Sequence, residues 1–112
     1  MEPDIVCALL EKIRARPGMY LAEKDLTRLE FLLYGYAIRE MEINPKYAQN
    51  NAFWSGFRRY VEDYYHVKSA QGWRRIIEFY STSREDAFGT FFQRYDEYLA
   101  AYREGKAPPP RF

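Results

Sequence analysis

Apolar residues recur along this chain with the 3.6-residue period of a helix, and no segment shows the strict alternation of a half-buried strand. Ile5, Val6, Leu9, Leu10 and Ile13 form the first ridge, entered through Pro3 and Asp4 and ended before Pro17-Gly18. Leu26, Leu29, Leu32, Leu33, Tyr36 and Ala37 form a wider second face, capped by Asp25 and closed at Asn44-Pro45, with Gly35 as a candidate close crossing. From about Ala48 to His66, Phe53, Phe57, Tyr60, Val61 and Tyr64 stack on one side of a third helix. Its polar flank is Arg58, Arg59, Glu62 and Asp63. Ser69 can cap a short fourth helix carrying Trp73, Ile76, Ile77 and Tyr80, broken by Ser81-Thr82-Ser83. The last helix is the plainest: Phe88, Phe91, Phe92, Tyr95, Leu99 and Tyr102 share one face. Ser83 and Asp86 frame its start like a capping box, and Gly105 suits its C′ stop. The pattern predicts an all-α, compact single-domain bundle of about five helices over residues 1–105, followed by a Pro-rich tail at 106–112.

The aromatic load adds a functional hint. Of 112 residues 21 are Phe, Tyr or Trp, and 11 of these are Tyr, more phenols than so small a core can hide. Exposed Tyr, Trp and Arg are the usual anchors of protein interfaces, so a binding module is expected. Seventeen Lys and Arg against sixteen Asp and Glu give a net charge of +1, which argues against general nucleic-acid binding.

Candidate chemistry is sparse. Cys7 is the single cysteine and His66 the single histidine, so neither an internal disulfide nor a thiolate or histidine-rich metal site can be assembled. His66 reads as a helix-end residue and Cys7 as a small core hydrophobe, and substituting either should leave function intact. The carboxylate pairs Glu40/Glu42, Glu62/Asp63, Glu85/Asp86 and Asp96/Glu97 diverge on helices and read as solvated faces. No catalysis and no cofactor are expected. The acidic start Met-Glu-Pro-Asp lacks a signal-peptide pattern, and no apolar run could cross a membrane, so a cytoplasmic protein is expected.

The candidate partner-binding residues are Trp54, Arg58, Arg59, Tyr65, Arg74 and Arg75, where arginine pairs adjoin aromatic rings. Trp54, Arg58 and Tyr65 fall at i, i+4 and i+11, a stripe along one helix edge.

Two resemblances bear on this. Ile13 to Leu21, reading Ile-Arg-Ala-Arg-Pro-Gly-Met-Tyr-Leu, resembles the segment that opens the ATPase domain of gyrase B and its relatives. There the following helix carries a metal-holding Asn, but here Tyr36 stands at that place and no Gly-rich phosphate loop follows, so an ATPase is excluded and the motif reads as a helix-breaking turn. Taken with Gly35-Tyr36, Trp73-x-x-Ile76-Ile77 and Phe88-x-x-Phe91-Phe92, the same Arg-Pro-Gly-Met-Tyr motif resembles a set of short uncharacterised bacterial proteins. These often occur beside polymorphic secreted toxins as immunity proteins. The resemblance implies a protein that binds and inhibits a cognate toxin by occluding its active site. The competing classes are a small helical regulator binding nucleic acid and a homodimeric adaptor.

Overall fold

Residues 6–44, 52–68 and 70–106 are described by a computed structural model, at 52–55 through the backbone alone. They form α1 (Val6–Ala15), α2 (Pro17–Leu21), α3 (Leu26–Ile43), α4 (Ala52–Tyr65), α5 (Trp73–Phe79) and α6 (Arg84–Arg103), with no strand among them. The radius of gyration, 13.7 Å, is close to the roughly 13 Å of a compact domain of this length. Pro3, Asp4, Pro45, Ser69 and the Pro108–Pro110 tail, all assigned roles by the sequence, lie outside the described residues.

The additional helix is α2. The Arg-Pro-Gly-Met-Tyr-Leu segment does end α1, but it then coils through one short turn instead of running on as a loop. Pro17 sits at the start of α2, where its fixed φ fits the helix and no N–H is needed. α5 likewise begins later than Ser69 would have it. Gly72 has φ 89° and ψ 179°, a conformation reserved in practice for glycine, so a helix can start only after it.

Three helix ends close with named devices. Asp25 accepts the Thr27 N–H at 3.0 Å to cap α3. Ser83 accepts the Asp86 N–H at 3.0 Å, while the Asp86 carboxylate takes the Thr82 N–H at 2.9 Å. The box is thus reciprocal one residue early. Gly105, at φ 73°, donates to Tyr102 and lets Lys106 donate to the Ala101 carbonyl, a complete Schellman stop for α6.

α4 ends in the same motif with the wrong residue. His66 stands at φ 57°, its N–H reaching the Asp63 carbonyl while that of Val67 reaches Glu62. A side chain in this left-handed region is strained where glycine is not. His66→Gly is therefore expected to stabilise the fold by about 0.5–1 kcal/mol after the extra chain entropy of glycine is subtracted. A urea midpoint at or below that of wild type would exclude this account of the helix end.

α6 is the hub, packing against α3, α4 and α5, while α1 packs on α2 and α3. Phe57, Phe91, Tyr95, Leu10, Ile13, Leu29, Val61 and Ile77 have no exposed surface. The ring of Phe57 meets Phe91 at 5.7 Å, Trp73 at 5.6 Å and Tyr98 at 5.8 Å, all edge to face. Trp73 is thereby a partly buried core residue. Tyr95 and Tyr98 are buried as well, and burial is the main reason both phenols titrate above their ordinary value, Tyr98 at about 12. Cys7, a buried thiol, lies beside the Tyr95 hydroxyl and adds to the rise in its pKa.

Three further expectations are corrected here. Glu62, read as polar flank, is 6% exposed and pairs with Arg58 at 3.6 Å; Tyr64, read as core, is 47% exposed. Tyr64 lies at the far end of α4, where it covers the Arg94 guanidinium rather than the core. Gly35 crosses no helix: nothing lies within 4 Å of where a Cβ would stand.

Candidate partner-binding surface

The surface is built around the end of a very short helix. Ile76 and Ile77 bury themselves against the bundle, and Trp73 packs beside them. Side chains about 100° apart on successive residues cannot all face one way. Phe79 is left 79% exposed, on the same side as Arg75 one turn earlier. Tyr80, just beyond the helix, is 49% exposed.

From there the rings run in an unbroken series toward α4. Phe79 meets Tyr80 edge-on at 5.0 Å, and Tyr80 stacks on Tyr65 at 4.7 Å with planes 12° apart. Tyr65 meets Tyr64 at 4.8 Å, and the Arg94 guanidinium lies 3.8 Å from the centre of the Tyr64 ring. Tyr60 continues the series inward to Tyr98 at 5.6 Å. Burial pushes the Tyr60 phenol up, to about 12, and its 2.9 Å hydrogen bond to Glu97 adds to this. Burial also raises Tyr65. Both hydroxyls therefore stay protonated near neutrality. The series is held at its inner end and presents ring faces at its outer one.

Beside the outer end lies an open hollow of about 350 Å³, lined by Val67, Gln71, Arg75, Ile76, Phe79 and Tyr80. Its walls are mainly apolar, with one cation at the lip. Arg75 is exposed and has no ion-pair partner among the described residues. An apolar socket bordered by a guanidinium fits an apolar or aromatic side chain that stands beside a carboxylate.

The six residues singled out by sequence are dispersed. Tyr65 and Arg75 lie on this surface. Arg58 and Arg59 pair along α4 with Glu62 at 3.6 Å and Asp63 at 3.7 Å. The side chain of Trp54 lies outside the described residues. Arg74 faces inward. It meets Glu30 at 2.7 Å, Glu78 at 2.9 Å and Thr27 at 3.1 Å, with only 13% of its side chain exposed. Burial by itself would lower the Arg74 pKa, but Glu30 and Glu78 outweigh it and hold the guanidinium above its ordinary value. Its fork is occupied within the bundle.

Phe79, Tyr80 and Tyr64 were missed. A signal was present: two successive aromatics close a seven-residue helix, too short to hide both. Among the described residues no group of His, Cys, Asp and Glu could hold a metal ion. No helix of the described residues is long and apolar enough to cross a membrane. Compared with protein-family models, curated proteins and solved structures, the chain matches none.

Proposed function

We propose that this protein is an immunity-type inhibitor that binds a cognate bacterial toxin domain and occludes its active site. The observation that carries the reading is the aromatic series Phe79–Tyr80–Tyr65–Tyr64, exposed at Phe79, Tyr80 and Tyr64 and half-buried at Tyr65. Its Phe79–Tyr80 end borders a hollow edged by Arg75, a cation with no ion-pair partner among the described residues. Rigid aromatic rings held from below lose little freedom on binding, and a guanidinium with no internal partner loses none of its own bonds. Both features favour a protein surface over a solvated one. The resemblance carried by Arg16 to Tyr20, Trp73, Ile76 and the Phe88–Phe92 ridge supports the toxin as the class of partner.

The test is a titration of the purified chain against the toxin domain encoded beside it, with protection of a toxin-expressing cell as the second readout. Phe79→Ala and Arg75→Glu are each expected to weaken binding by about 2 kcal/mol or more, roughly thirtyfold, with helical content unchanged. Affinities within twofold of wild type would remove this surface as the anchor. A toxin domain that neither binds nor is neutralised by the wild-type chain would remove the inhibitor reading itself.

A further inference from the structure

A second exposed apolar face lies on α3, away from the hollow. Leu26, Leu29 and Leu33 bury one side of this helix, but Phe31, Tyr34, Ile38 and Met41 are 63%, 54%, 54% and 42% exposed. They stand at i, i+3, i+7 and i+10, so they form one stripe about 15 Å long. Phe31 and Tyr34 already touch edge to face at 6.2 Å. Gly35 borders the middle of the stripe, with nothing within 4 Å of its missing Cβ.

We propose that this stripe is a self-association surface, on which two copies of the chain pair antiparallel through α3. The argument is the order of the spacings. Steps of three, four and three read the same in both directions, so a two-fold axis level with residue 36 sets Phe31 opposite Met41 and Tyr34 opposite Ile38. Each ring then meets an aliphatic or thioether side chain, and Gly35 lets the two backbones approach at the crossing. The flank agrees in charge. Arg28 and Glu42 lie on the same side of the stripe, about 40° apart around the helix. In the antiparallel pair, Arg28 of one copy comes within two residues of the position opposite Glu42 of the other. Their side chains are 48% and 62% exposed, and their contacts among the described residues are local: Arg28 with Glu23, Asp25 and the Leu21 carbonyl, Glu42 with Arg39. The axis repeats the contact, giving two such pairs per dimer.

The size sets the strength. Four half-exposed side chains remove on the order of 400–500 Å² per copy, the low end for a specific interface, so micromolar dissociation is expected. The pairing uses none of the residues lining the Arg75 hollow and is independent of what that hollow binds.

Sedimentation equilibrium of the purified chain alone, from about 1 µM to 1 mM, reads it directly. Wild type should pass from monomer to dimer within that range. Ile38→Glu, at an exposed position that leaves the fold intact by circular dichroism, should weaken the dimer at least thirtyfold. Glu42→Arg should weaken it several-fold, and adding Arg28→Glu should restore it. Gly35→Gln should raise the melting temperature of the dilute monomer, because glycine is a poor helix former, while weakening the dimer. A wild-type chain still monomeric at the highest concentration overturns the proposal, as does a dimer indifferent to Ile38→Glu. Failure of the charge reversal to restore pairing overturns the antiparallel register.

Discussion

Phe91→Ala is expected to lower the stability of the protein by about 3–5 kcal/mol. Phe91 has no exposed surface, and its ring meets Trp73 and Phe92 at 5.0 Å, Phe57 at 5.7 Å and Tyr95 at 6.1 Å. It is the point at which α4, α5 and α6 converge, so no single neighbour can swing in to fill the cavity. The loss is a large part of the 5–15 kcal/mol that holds an ordinary domain folded. Phe92→Ala should cost less than Phe91→Ala. Its ring is 7% exposed and lies under the Arg14 guanidinium, 4.7 Å from its centre, which can settle into part of the space. Urea unfolding followed by circular dichroism measures both. Midpoints within a few per cent of wild type for Phe91→Ala would mean that the hub is assigned to the wrong helix.

Arg74→Ala is expected to cost about 3 kcal/mol, for a different reason. Glu30 is 7% exposed and receives its charge-assisted hydrogen bond from Arg74 at 2.7 Å. Removing the guanidinium leaves a carboxylate in a place water hardly reaches. The fault lies in the stranded partner rather than the missing bond. Arg74→Met combined with Glu30→Leu should therefore recover most of the loss, since neither residue then carries an unmet charge. Glu78, with 30% of its side chain exposed, can turn to solvent in either variant. If the double substitution is as unstable as Arg74→Ala alone, the pair is not what joins α3 to α5.

The helical content of the bundle was legible because its signals are local. Asp25, Ser83 with Asp86, and Gly105 all act at the helix ends where sequence placed them, and the Phe88–Leu99 ridge is buried along its length. What was not legible depends on which face finds a neighbour. Both sides of α3 carry large apolar residues, and periodicity alone cannot say that Leu29 is covered while Phe31 is not. Arg74 and Arg75 are adjacent in sequence and alike in type, yet a rotation of about 100° sends one to Glu30 and leaves the other at the lip of a hollow. Chemistry of this kind is set by contacts between helices far apart in the chain.

The position of α6 has a consequence for how the protein is made. The apolar sides of α3, α4 and α5 all close against α6, the last of the described helices to leave the ribosome. At roughly 5–20 residues per second, the stretch from the start of α3 to the end of α6 takes several seconds to synthesise. For that time the sides of α3, α4 and α5 that face α6 lack their final cover: Phe57 can meet Trp73 of α5, but not yet Phe91 or Tyr98. Until Arg103 emerges, the faces of α3, α4 and α5 that close on α6 are the apolar surface a hydrophobic-binding chaperone would recognise.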